Sequence, residues 1–115
     1  MIILGIDPGL ATVGFGILNS DGQRMSPVNY GIISTPAGVP LPRRLTMIYA
    51  DVQELIRTYR PDAIALEELF FYRNVTTAID VAQARGVALI AAANAVSDSQ
   101  IFEYTPMQIK LAVCG

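Results

Sequence analysis

The sequence predicts an α/β fold, a mixed five-stranded sheet with helices on both faces. Three observations predict it. Apolar runs at Ile2–Asp7, Val13–Asn19 and Val28–Thr35 follow one another with only turn residues between, as in an antiparallel meander. From Leu45 the apolar positions fall at 45, 48, 52, 55, 56 and 59, the 3.6-residue stripe of an amphipathic helix. Ala63-Ile-Ala-Leu-Glu67 is apolar on both faces and lies between two helical segments, as a central parallel strand does.

Each element has local punctuation. The first strand stops at Pro8-Gly9, and Ser20-Asp-Gly22 closes a hairpin between the second and third. Prolines 36, 40 and 42 mark a loop, the helix 42–60 follows, and Pro61 ends it. Asn74 to about Ala95 reads as a long alanine-rich helix with apolar residues around much of its circumference, a helix buried on two sides. Gly86 within it permits close approach of a neighbour at a propensity cost of about 1 kcal/mol. A fifth strand spans 100–104, and Thr105-Pro-Met-Gln108 fits a capping box opening a last, short helix. The order β-β-β-α-β-α-β-α fits a single domain over 1–115.

Composition narrows the chemistry. The 115 residues are 52% hydrophobic and 16% charged, which excludes disorder and leaves apolar surface for a partner. With no histidine, His-based triads and His-ligated zinc are excluded; with one cysteine, Cys114, so is a disulfide scaffold. The apolar run Gly86–Ser97 is too short for the ~20 residues of a membrane span, so a cytoplasmic location is expected. A net charge of −2 gives no global attraction for nucleic acid, although arginines at 43, 44, 57, 60, 73 and 85 are numerous enough to build a local basic face.

Two carboxylates stand out. Asp7 ends the first strand and Glu67 the fourth. If those strands are adjacent and parallel, the two acids meet at one sheet edge, Asp7 sharing a face with Ile3 and Gly5, and Glu67 with Ala63 and Ala65. Such a pair resists joint ionisation unless a divalent cation lies between. Hard oxygen ligands without histidine or thiolate suit Mg²⁺ or Mn²⁺, ions that serve in-line phosphoryl displacement. Two simpler readings stand beside this one: Asp7 capping its own turn, and Glu68 rather than Glu67 pointing inward. Gly9, Gly14 and Gly16 let backbone amides approach a phosphate or its metal. Phe70, Phe71 and Tyr72 either pack on the domain, fill a dimer seam or stack on bases, and Lys110 either pairs with a phosphate or faces water.

Gly5-Ile-Asp-Pro-Gly9 with Gly14-Phe-Gly16, Leu66-Glu-Glu-Leu-Phe-Phe71, Arg73-Asn-Val-Thr-Thr77, Gln83-Ala-Arg-Gly86 and Phe102-Glu-Tyr-Thr-Pro106 together resemble the RuvC family of Holliday junction resolvases. The resemblance runs through essentially the whole chain. It implies a ribonuclease H-like homodimer that binds four-way junction DNA and nicks two opposing strands symmetrically in DNA recombination and repair. It implies Mg²⁺, with Mn²⁺ as a substitute and two ions per complete site, and a branch-migration helicase complex as a further partner. By position, Asp7 and Glu67 resemble the first two catalytic, metal-binding acids, Phe70 the aromatic near the junction's unstacked centre, and Lys110 a lysine near the DNA backbone. Arg73, beside Phe70, is grouped with these DNA contacts. The helix from Asn74 resembles the dimer seam, which Ala82 and Leu89 would line. The family has two further acids on a C-terminal helix beyond any residue here, so this stretch is expected to carry half a metal site, to bind metal weakly and to cleave little or not at all. Two alternatives are carried forward: a non-catalytic nucleic-acid-binding or dimeric remnant of the same fold, and a nucleotide-binding domain of the actin-like or sugar-kinase type.

Overall fold

Alternating large and small apolar residues give the sheet two unlike faces, and that difference sets where the helices go. The computed structural model describes residues 1–67 and 75–104, without the side chains of Val75 and Tyr104. Strands β1 (Ile2–Asp7), β2 (Thr12–Ser20) and β3 (Met25–Ser34) form the antiparallel meander; helix α1 (Leu41–Tyr59) leads to β4 (Ala63–Glu67), and α2 (Val75–Ala95) with a 3₁₀ turn (Asp98–Gln100) leads to β5 (Ile101–Tyr104). The strand order is β3-β2-β1-β4-β5, with β4 parallel to β1 and β5 parallel to β4. This is the mixed sheet that the sequence predicts.

Both described helices pack on one face. Leu4, Ile6, Val13, Ile17, Ile33, Ile64 and Leu66 meet Ile48 and Val52 of α1 and Ala84, Ala88, Ala91 and Ala92 of α2 in one buried cluster. The expected stripe on α1 is the buried one. On α2 the inward residues are mostly alanines, which bring the helix backbone close to the sheet. Hydrogen bonds from Asn94 Nδ2 to the Tyr49 hydroxyl (3.2 Å) and from Asn29 Nδ2 to the Tyr59 hydroxyl (2.7 Å) tie α1 to α2 and to β3. The opposite face carries only a small cluster of Ile3, Leu18, Ala63 and Ala65. The last helix expected from Thr105, and Cys114, lie outside the described residues.

Local chemistry explains the boundaries. β3 begins at Met25, earlier than the sequence predicts, because Asp21 Oδ1 accepts hydrogen bonds from the amides of Gln23 (3.1 Å) and Arg24 (2.8 Å) and turns the chain back at once. Farther along this hairpin the register shifts between Ile17 and Leu18, where Pro27 enters β3, and Asn29 Oδ1 accepts from the Tyr30 amide (2.9 Å). Asp62 accepts from the Ile2 amide (2.7 Å) while its own amide donates to the Ile2 carbonyl (2.7 Å), so it pins β4 to the start of β1.

Helix α1 ends on Arg60 in the left-handed region (φ 47°, ψ 60°), with the Arg60 amide donating to the Ile56 carbonyl. A non-glycine residue there carries a steric penalty of about 1 kcal/mol that glycine escapes. Arg60→Gly is therefore expected to stabilise the fold by up to about 1 kcal/mol, less the extra chain entropy of glycine, read as a higher urea midpoint; a lower midpoint would show that the Arg60 side chain itself holds the cap.

Candidate metal centre

The parallel pairing of β1 with β4 runs Ile3 to Ala63, Leu4 to Ile64, Gly5 to Ala65 and Ile6 to Leu66, so the next residues, Asp7 and Glu67, leave the sheet side by side. Both lie on the open face, alternating with the residues buried under the helices. Their carboxyls share a hydrogen bond. Asp7 does not simply cap its turn, and Glu67 is the residue that points to the pair.

The pairing is electrostatically unrelieved. Partial burial, then the hydrogen bond and the negative charge of Asp7, push the Glu67 carboxyl from its ordinary 4.5 up to about 8. Among the described residues no group of three or more His, Cys, Asp or Glu side chains is placed to hold a metal ion. The donor set is thus two carboxylates, the oxygen chemistry that suits Mg²⁺ or Mn²⁺, and a divalent cation would supply the positive charge this pair lacks.

The floor beside the acids is nearly bare. Gly5 pairs with Gly16 and Asp7 with Gly14, and these residues line a shallow depression of about 270 Å³ together with Leu18 and Tyr30. A Cβ at Gly16 would touch nothing within 4 Å, whereas one at Gly9 would overlap the Thr12 carbonyl oxygen. Gly9 is thus required by the turn, while the floor glycines leave the backbone open to approach.

Each acid-bearing strand end is secured by an arginine from a helix. After Asp7, the Thr35 hydroxyl donates to the Leu10 carbonyl (2.5 Å) and the Thr35 amide to the Ala11 carbonyl (3.0 Å); Arg44 of α1 donates through Nε to the Thr35 hydroxyl (3.0 Å). At Glu67, Arg85 of α2 donates through Nε to the backbone carbonyl (3.2 Å) and pairs with the Glu103 carboxylate. These two arginines, and Arg57, which pairs with Glu54, are engaged within the chain. Sequence reasoning counted all three among candidates for a basic face and missed their internal roles; only the Gln83-Ala-Arg-Gly86 motif marked one of them.

Phe70, Arg73 and Lys110 lie outside the described residues. Ala82 and Leu89 are exposed on α2, on a stripe with Ile79, Gly86 and Ala93. No described helix is long and apolar enough to cross a membrane.

Comparison with known proteins gives the family. The family "Crossover junction endodeoxyribonuclease RuvC" matches residues 3–115. The relative of that name from Rubrobacter xylanophilus is 57% identical over 97% of this chain and 62% of its own length; the one from Brevibacillus brevis is 53% identical over 100% of this chain and 68% of its own. The solved structure of T. thermophilus RuvC in complex with Holliday junction substrate superimposes with a TM-score of 0.83 at 34% identity, covering 96% of this chain and 70% of that one. The mixed five-stranded sheet is shared with that solved RuvC structure. The chain belongs to the RuvC family. It spans roughly two-thirds of the length of the relatives it matches, 62% of the R. xylanophilus protein.

A raised Glu67 pKa makes a signed prediction. The folded state keeps a proton that the unfolded chain releases above about 4.5, so the contribution is fully present below that pH and lost as pH rises to about 8. Urea midpoints in metal-free buffer are expected to fall from about pH 5 to about pH 8, and Glu67→Gln to flatten that slope. An equally steep slope in Glu67→Gln would assign it to other groups.

Proposed function

We propose that this chain is the catalytic core of a structure-selective endodeoxyribonuclease that resolves four-way DNA junctions by paired, symmetric nicks through metal-dependent phosphodiester hydrolysis. The observation that carries the reading is the contact of Asp7 with Glu67 at the ends of adjacent parallel strands, in a chain of this family. Family membership implies a nuclease dependent on a divalent metal; the finer reading is Mg²⁺, two ions at a complete site, held in part by Asp7 and Glu67.

A divalent cation bound there supplies Lewis-acid polarisation of the phosphate and activation of the attacking water. This chain's own residues do the rest. Asp7 and Glu67 would hold the cation at the ends of β1 and β4, its charge replacing that of the proton on Glu67. The glycine floor at 5, 14 and 16 admits a sugar-phosphate backbone beside the two carboxylates without side-chain obstruction. Phe70, Arg73 and Lys110 are assigned to DNA contact, Phe70 at the unstacked bases of the branch point and the two cations at phosphates. With so little net positive charge, recognition rests on the shape of the branched duplex more than on bulk attraction.

The stripe of Ile79, Ala82, Gly86, Leu89 and Ala93 supports a homodimer. Ile79 and Leu89 are 52% and 36% exposed, and a Cβ at Gly86 would touch nothing within 4 Å, so the glycine serves no packing need among the described residues. Two copies of one apolar helix face are self-complementary about a two-fold axis. Such a pair presents two nuclease sites to two strands of one junction.

Losing one carboxylate removes several kcal/mol of transition-state charge stabilisation held through the metal, at least about a hundredfold in rate. Asp7→Asn and Glu67→Gln in the full-length protein are each expected to reduce junction cleavage by that factor with junction binding retained, and chelation of divalent ions to do the same. Wild-type cleavage in either variant would remove the assignment. Leu89→Glu is expected to shift sedimentation from dimer to monomer; an unchanged profile would place the seam elsewhere.

A further inference from the structure

The Arg85 side chain is 13% exposed, although nothing in a net charge of −2 calls for a buried cation. It comes from α2, the helix side of the sheet. There it meets Glu103, which pairs with Leu66 across β4 and β5 and lies on the same face, while Glu67 points to the other. Its Nε reaches past Leu66 to the backbone carbonyl of Glu67, the last residue of β4. One planar guanidinium thus binds β4 and β5 where both end, and its fork geometry fixes direction as well as distance. Glu67 still pairs with Tyr104 of β5 but has no rung with β1, the last being Ile6 with Leu66, so on the side of Asp7 no ladder bond holds it. Rotation of this peptide would re-aim the Glu67 Cα–Cβ bond, so the group that clamps the carbonyl controls where the carboxyl points.

We propose that Arg85 is a positioning residue for Glu67: anchored by Glu103, it fixes the terminal peptide of β4 and thereby holds the Glu67 carboxyl against Asp7. The role rests on the reading of Asp7 and Glu67 as metal ligands. It is distinct from charge neutralisation, because the guanidinium meets the carbonyl on the helix side while the carboxyl faces the open side. Arg44 gives a parallel at the other acid, acting through Thr35 on the loop after Asp7. Groups that orient metal ligands are typically worth about ten- to a hundredfold in metal affinity.

The test uses Arg85→Met, which keeps the aliphatic stem and removes every donor, with Glu103→Gln as a milder variant should the first fail to fold. The first readout is the carbon-13 shift of the Glu67 carboxyl in metal-free protein, measured with and without Asp7→Asn. With Arg85 present, Asp7→Asn moves that signal because the carboxyls touch. In Arg85→Met or Glu103→Gln the movement is expected to fall by about half or more, a loss of coupling between positions 7 and 67. The second is Mn²⁺ binding by calorimetry, expected to weaken about tenfold in Arg85→Met, whereas a role in stability alone would lower the melting temperature and leave both readouts in place. Undiminished coupling in a folded variant overturns the proposal. Absence of Mn²⁺ binding to wild type, or binding indifferent to Asp7→Asn, overturns the metal reading instead, and the carboxyl coupling still decides the role of Arg85.

Discussion

Parallel pairing of β1 with β4 forces two carboxylates together, and the architecture around the site follows from that contact. Like groups at hydrogen-bonding distance are tolerated here because Glu67 keeps a proton well into the neutral range. The arrangement lowers stability wherever both acids must ionise, so it persists only because the rest of the sheet over-determines it. Six residues of β1 pair with β2 on one side, and four pair with β4 on the other. The two acids extend one position past the last β1–β4 rung, close enough to meet and free enough to admit a third group.

The two faces of the sheet divide the labour. Leu4, Ile6, Ile64 and Leu66 bury their side chains under both helices, while their neighbours Gly5, Ala63 and Ala65 keep the other face low. Large residues supply cohesion on one side; small ones supply access on the other. The arginines connect the two, since Arg44 and Arg85 start from helices on the cohesive side and end on the backbone next to the acids. The rigidity of the core is carried to the carboxylate edge through hydrogen bonds to main-chain atoms and one hydroxyl.

Most of the fold was legible in the sequence because its signals are periodic. The α1 stripe, the doubly apolar β4 and the turn residues after β1 and β2 each reflect burial or backbone geometry that neighbours in the chain already encode. The meeting of Asp7 and Glu67 was legible one step further on, as a consequence of strand adjacency. The Arg44 and Arg85 clamps were not, since they act on backbone carbonyls and one threonine hydroxyl with no residue-type signature, and the Glu103 partner of Arg85 is met only once β5 is placed beside β4. Nor was the early start of β3, which depends on how one aspartate side chain folds back on two amides. Which face the two described helices take was not legible either: the alternation of large and small residues across β1 and β4 encodes it, but only once the two strands are known to be neighbours.

The interruption in the outer hairpin has a consequence for how copies of this chain recognise one another. β3 is a margin of the sheet, and a straight margin invites open-ended strand addition. Pro27 offers no amide there, the ladder slips opposite it, and Asn29 occupies the Tyr30 amide with its own side chain. These two positions offer no free donor to an incoming chain, which interrupts the template for a continuous ribbon along that border. In the proposed homodimer, helix-to-helix pairing would then close at two subunits instead of propagating.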